Sequence, residues 1–157
     1  MNLTTARGIA EDYQRLSGIE FLRKLMREGA ESPMAELLNM VVVSVADGEV
    51  GIRGTPEERF YNPMMRVHGG WVATLIDTAL GSAVVTKIAA GTGVGTVQLN
   101  VNFVRKIEVS SGPLLAVGKV LHAGRTMLTA EVKVTDEKGV LYAHGTGTFL
   151  VYPKPLS

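Results

Sequence analysis

No cysteine occurs among the 157 residues. Its absence removes disulfides, thiol nucleophiles and thiolate metal sites together, and it fits a reducing compartment. An excess of one charge is also missing, since 16 basic and 15 acidic side chains leave a net charge of +1. No basic field therefore points to nucleic acid, and no polybasic segment points to a membrane surface. The opening MNLTTARGIAEDYQ lacks the apolar core of a secretory signal, so the expected compartment is the cytoplasm. His68, His122 and His144 lack metal-ligand spacing and an accompanying carboxylate cluster, which argues against zinc. There is no Gly-x-Ser-x-Gly elbow, because Gly81-Ser82 falls inside a helical run. Gly91-Thr-Gly93-Val-Gly95 has the look of a phosphate loop, but it leads into a strand where such loops lead into a helix.

The length suits one domain with its own core. Phe21, Leu22, Leu25 and Met26 recur at helical spacing among charged residues, and Gly29 is a natural stop. Ser32-Pro33 restarts a short helix whose expected apolar face is Met34, Leu37 and Leu38. These helices read as lids over a sheet edge, or as walls of a substrate entrance. From Met40 two β-rich runs flank an Asp47-Gly48 turn, a hairpin pattern. Residues 55–67 are irregular. A long apolar helix follows over roughly 70–90, closed by Gly91. In TVQLNVNFV the alternation predicts Val97, Leu99, Val101 and Phe103 on one face and Thr96, Gln98, Asn100 and Asn102 on the other. Runs at Leu114–Leu121 and Thr126–Thr135, and a last one reaching Val151, complete three or four antiparallel strands. The fold class is α+β. The expected division is a helical extension over 1–39 and a sheet-and-helix domain over 40–157. Trp71–Ala90 is long enough to span a bilayer, yet Asp77, Lys87 and several hydroxyl residues mark it as a buried helix. A helix apolar all round needs cover on most sides, which one curved sheet cannot give, so at least a dimer is expected.

The chemistry concentrates in this helix. GGWVATLIDTALGSAVVT contains one charged residue, Asp77, and opens on His68-Gly69-Gly70, where backbone N–H groups at a helix start are free. A base and free amide donors are the parts that acyl transfer needs. Gly69 and Asp77 are eight positions apart, about 12 Å along a helix axis. One helix cannot easily bring both to one carbonyl, whereas two antiparallel copies can. Any such site therefore belongs to two chains.

Asn62-Pro-Met-Met-Arg-Val-His68-Gly69-Gly70, Asp77 nine positions after the histidine, and Gly93-Val-Gly-Thr96-Val-Gln-Leu-Asn-Val-Asn-Phe103 resemble the hotdog-fold thioesterases of the phenylacetate-degradation (PaaI-like) group. The resemblance covers roughly residues 40–151. It implies an antiparallel sheet wrapped around one long helix, a homo-oligomer (a dimer or a tetramer of dimers), and hydrolysis of acyl-CoA thioesters. By position, Asp77 resembles the family's acid, acting as general base on water or as nucleophile. Gly69 resembles the oxyanion donor. Asn62 and His68 resemble the pair that positions the carbonyl and the water, and Thr96 the hydroxyl residue that helps hold the water. Gly70, Val104-Arg105-Lys106 and His122-Ala-Gly-Arg125 resemble places that meet CoA. A thioester has a good leaving group, so its hydrolysis needs a base, an oriented water and oxyanion donors; no cofactor is expected beyond the CoA of the substrate.

Each residue also has a plain structural role open to it. Asp77 can pair across an interface, Gly69 and Gly70 can serve close packing, and His68 can be a satisfied interior histidine. Asn62 can start a turn, Thr96 can be an ordinary sheet residue and Arg125 a solvated hairpin residue. Two rival functions stand beside thioester hydrolysis. One is a hotdog enoyl-CoA hydratase or dehydratase, although the His-Phe-Pro-Gly type of start is absent. The other is a non-catalytic acyl-CoA-binding protein.

Overall fold

The computed structural model describes residues 3–152, with side chains from residue 8 onward. Three helices come first: α1 (Leu3–Arg15), α2 (Gly18–Glu28) and α3 (Pro33–Leu37). Glu20 reaches back to the Ser17 N–H at 3.1 Å and so anchors the start of α2. Gly29, with φ of 59°, ends it in the left-handed conformation expected at that position. Lys24 pairs with Asp12 at 2.6 Å and ties α2 to α1, while Tyr13 packs edge-on against Phe21. Ser32 caps α3 by accepting the Ala35 N–H, and Pro33 occupies its first position. Of the apolar face expected for α3, only Leu38 packs against the core. Ala35 is buried, whereas Met34 and Leu37 are 56% and 63% exposed. A helix of barely more than one turn lies close to the sheet only through its smallest side chain, so the larger ones turn outward.

Six antiparallel strands form one sheet in the order β1-β2-β4-β5-β6-β3. They are β1 (Met40–Ala46), β2 (Glu49–Gly54), β3 (Gly93–Phe103), β4 (Leu114–Ala123), β5 (Met127–Thr135) and β6 (Leu141–Tyr152). The β1–β2 hairpin turns at Asp47-Gly48, as the sequence predicts, with Gly48 at a φ of 76°. α2 and α3 pack against β1, one edge of the sheet. The long β3 is the other edge.

Helix α4 (Gly69–Val85) crosses the inner face of the sheet. Leu75, Ile76 and Leu80 are fully buried against it, each contributing roughly 1.5–3 kcal/mol. Glycines on the strands let the helix sit close. A Cβ on Gly118 would strike the Ala79 carbonyl, and one on Gly147 would come within 3.2 Å of Leu80. The helix ends at Val85, five residues short of the expected boundary. There Thr86, itself buried, donates to the Ala83 carbonyl at 2.6 Å and accepts the Gly48 N–H at 2.8 Å. The hairpin turn thus meets the helix end, and the apolar residues beyond it serve packing, as with buried Ile88.

Nor is α4 apolar all round. Away from the sheet it presents Ala73, Thr74, Asp77, Thr78, Gly81 and Ser82, all half-buried. The hydroxyls of Thr74 and Thr78 fold back onto the carbonyls of Gly70 and Thr74. Part of the case for a second copy, drawn from an apolar face without cover, is therefore weakened. Among the described residues, no helix is long and apolar enough to cross a membrane.

Candidate active site

Asp77 sits at the middle of α4, and β3 delivers its partner. Simple alternation would turn Thr96 away from the helix, on the face opposite Leu99 and Val101. The register shows otherwise. Thr96 pairs with Phe149 and Gln98 with Thr148, which leaves Val97 as a one-residue bulge. A bulge reverses the in–out parity of every residue beyond it. Thr96 therefore shares the inner face with buried Phe149, and its hydroxyl donates to Asp77 Oδ1 at 3.0 Å. Leu99, Val101 and Phe103 face inward as well, opposite Gly147, Gly145 and Ala143. Val97 is half exposed.

Asp77 and Thr96 border a cavity of about 310 Å³. Its wall is mostly apolar and is shared between the first forty residues, including Ile9 of α1 and Phe21, Leu22 and Leu25 of α2, and the sheet and α4. These helices thus line the cavity, and α2 and α3 also cover the β1 edge of the sheet. Glu31, between α2 and α3, also lines the cavity. Nothing in its local pattern, between a helix stop at Gly29 and a helix start at Ser32, marks it in sequence as a cavity residue.

The start of α4 is built differently. Asn62 lies in a tight loop held by a bridge between Tyr61 and Val67. Its Oδ1 accepts the N–H groups of Met64 (3.0 Å) and Arg66 (3.3 Å), so only its amide N–H groups remain to offer. His68 caps α4, its Nδ1 accepting the Gly70 N–H at 2.8 Å. The lone pair on Nδ1 is thereby used, and the neutral ring carries its proton on Nε2 as a donor. The Trp71 N–H goes to the His68 carbonyl. Among the described residues the Gly69 N–H has no acceptor. The Phe103 ring lies over Gly69, and a Cβ there would approach it to 3.2 Å.

A second cavity of about 320 Å³ contains Gly69 together with Arg105 and Lys106. The structure thus joins the glycine end to the basic stretch, and joins Asp77 to Thr96, but it keeps the two pairs in separate cavities of one chain. Lys106 and Arg66 both pair with Glu108, at 3.3 and 3.2 Å. Bonding from the Lys106 ammonium, foremost, holds the Glu108 carboxyl below its ordinary range. His122 and Arg125 lie at the exposed β4–β5 turn, at the same end of the sheet as the start of β3 and separated from it by β6, since Met127 and Gly95 flank Leu150 of β6. Arg105 follows the far end of β3. Gly95 and Phe103 alone are about 26 Å apart along the strand, so one chain does not unite the two basic groups. No group of residues able to hold a metal ion occurs among the described residues.

The pattern of the thioesterase superfamily matches residues 65–143, the stretch from the Asn62 loop through α4 to β6. This chain belongs to the thioesterase superfamily, and its fold is the hotdog fold. A protein of Halobacterium salinarum designated an esterase is 33% identical over 130 residues, covering 76% of this chain and 84% of its own. The 1,4-dihydroxy-2-naphthoyl-CoA hydrolase of Listeria monocytogenes is 24% identical over 121 residues, covering 77% of this chain and 97% of its own. Among solved structures, the PaaI protein of E. coli superposes with a TM-score of 0.76 at 20% identity, covering 90% of this chain and 99% of its own. That last likeness is one of fold.

Proposed function

We propose that this thioesterase-superfamily member hydrolyses an acyl- or aryl-acyl-CoA thioester to the free acid and CoA, in sites shared between two copies. The observation that carries the reading is the Asp77–Thr96 pair at the wall of an apolar cavity. Of the candidate side chains, Asn62 and His68 have spent their acceptors on backbone N–H groups, so what they offer is donors. Asp77 is the group left to take a proton or to attack. It either draws a proton from water, whose oxygen adds to the thioester carbon, or adds through its own carboxylate. In both routes the carbonyl oxygen gathers negative charge, the C–S bond breaks, and the thiol leaves with a proton. The second route then needs water to open the mixed anhydride. The Gly69 N–H, at the positive end of α4, suits the developing oxyanion, where such a donor contributes about 3 kcal/mol. The His68 Nε2–H and the Asn62 amide suit the carbonyl or the water.

Asp77 and Gly69 lie in different cavities of one chain, so a complete set needs the glycine end of one copy beside the acid of another. Edge strand β3 supplies a surface for that: among the described residues its free edge pairs with no strand, and Phe103, over Gly69, and Val104 are exposed. Gly70, Arg105 and Lys106 at one end, and His122 and Arg125 at the other, fit contacts to the CoA moiety from both partners. The relative that hydrolyses 1,4-dihydroxy-2-naphthoyl-CoA favours CoA as the carrier and leaves room for an aromatic acyl group. Residues between Ile9 and Ala35 form one wall of the acyl cavity, and the sheet and α4 carry the reaction.

The test is free-thiol release from a panel of acyl-CoA esters, wild type beside Asp77→Asn. Release by wild type and its loss in the variant are expected. Consumption of enoyl-CoA without thiol would point to a hydratase. Binding of CoA esters that is indifferent to Asp77→Asn, with no turnover, would point to a binding protein.

A further inference from the structure

The 310 Å³ cavity holds a second carboxyl group besides Asp77. Glu31 stands in the short connection between α2 and α3, fixed on one side by the left-handed Gly29 and on the other by the Ser32 cap. One of its oxygens, Oε1, accepts the Val42 N–H at 2.9 Å, on the outer edge of β1. A carboxylate has about four acceptor positions on its two oxygens. No further hydrogen bond and no ion pair to Glu31 occurs among the described residues. Around it are Leu22, Leu25, Ala35 and Val42, all buried. Burial, the larger influence, pushes its carboxyl above the ordinary range, and the Val42 N–H draws it part of the way back.

A structural duty alone does not account for an acid here. The Val42 N–H needs one acceptor, which a glutamine would supply equally well without the cost of a half-buried charge. What the acid adds is acceptor capacity facing an apolar cavity. Resting on the thioesterase reading, we infer that Glu31 selects the acyl group, favouring one that carries a hydrogen-bond donor, a hydroxyl or an amine, away from the thioester. A site built to bond a polar group rejects the analogue that lacks it, because its own polar atom is then left without a partner. Asp77 and Glu31 thus divide the cavity, the first reading the reacting end of the acyl group and the second its substituent.

The experiment measures kcat/KM by thiol release for three straight-chain acyl-CoA esters of equal length: unsubstituted, ω-hydroxy and ω-amino. Wild type, Glu31→Gln and Glu31→Leu are compared, with circular dichroism and melting temperature as controls of folding. Wild type should prefer a donor-bearing ester over the plain one by about 10- to 100-fold. Glu31→Leu should abolish or invert that ratio. Glu31→Gln, a neutral acceptor that can still bond Val42, should retain a preference for the hydroxyl and lose any for the amine. Equal ratios in wild type and Glu31→Leu, both folded, would overturn the proposal. Should wild type release thiol from none of the esters, the hydrolytic reading fails on its own. Calorimetric binding of the same three esters then decides on Glu31, since a donor preference that vanishes in Glu31→Leu supports it and affinities unchanged by the variant refute it.

Discussion

Gly69, at the start of α4, and Asp77, at its middle, lie about 12 Å apart along one helix, yet the chain treats the two places differently. At Asp77 it supplies its own roof: α1 and α2 close over an apolar cavity, and Thr96 meets the acid from the sheet. At Gly69 the surroundings are open and basic, with Met64, Met65, Phe103 and Val104 all about half exposed or more. The acid end has a base and a pocket but no amide donor facing the reacting carbon. The glycine end has donors and positive charge but no base. Each end lacks what the other has, and the proposed function therefore calls for a second copy in antiparallel arrangement.

The sharpest way to break this contrast is to disable the acid end. Asp77→Asn is expected to lower kcat by a factor on the order of 10³ or more with little change in KM, because it removes the proton acceptor while leaving the pocket. Near wild-type kcat from steady-state thiol release would reassign the site. Disabling one end in each of two chains comes next. Asp77→Asn and His68→Ala proteins, unfolded together and refolded as a 1:1 mixture, should recover about a quarter of wild-type activity, since half the dimers are mixed and each mixed dimer holds one intact site. No recovery, when native mass spectrometry shows mixed dimers, would place the whole site in one chain.

Finer cuts test the acid end alone. Thr96→Ala removes the hydroxyl that holds Asp77 Oδ1, and about a tenfold loss in kcat is expected, with most of it restored in Thr96→Ser. The smallest effect concerns stability. Glu31 is held above its ordinary value of 4.5 by burial, so the folded chain keeps that proton to a higher pH than the unfolded chain does. Its contribution to stability is full below the ordinary value and is lost as pH rises through the raised one. Glu31→Gln should therefore melt about 1–3 °C higher than wild type near pH 8, with the gap closing near pH 4. A gap independent of pH, followed by thermal melts across that range, would place the ionisation elsewhere.

Local chemistry explains which parts were legible in advance. Asp47-Gly48 demanded a turn, Ser32-Pro33 demanded a helix start and Gly29 a stop, and all three stand where expected because a few neighbouring residues decide them. The element order followed from such signals, whereas the hotdog sheet around α4 was implied by the resemblance of the motifs running from Asn62 through Asp77 to Phe103. Asp77 was conspicuous because nothing else charged interrupts its run. The misses were all decided at a distance. The Val97 bulge is set by pairing with β6, and it moved Thr96 to the helix side where alternation alone had put it outside. The helix stopped at Val85 because Thr86 meets a hairpin turn nearly forty residues earlier in the chain. Glu31 gained its place from β1 and α2 together, neither of which marks it in sequence.

Glycine at position 118 has a consequence for chemistry it never touches. Its bare α-carbon lies against the Ala79 carbonyl, two residues from Asp77. The depth at which α4 seats in the sheet, and so the 3.0 Å that separates the acid from the Thr96 hydroxyl, is gauged by a missing methyl group on the far wall of the core. A single added carbon there would act as a shim under the helix, detuning the acid while every residue around it kept its identity.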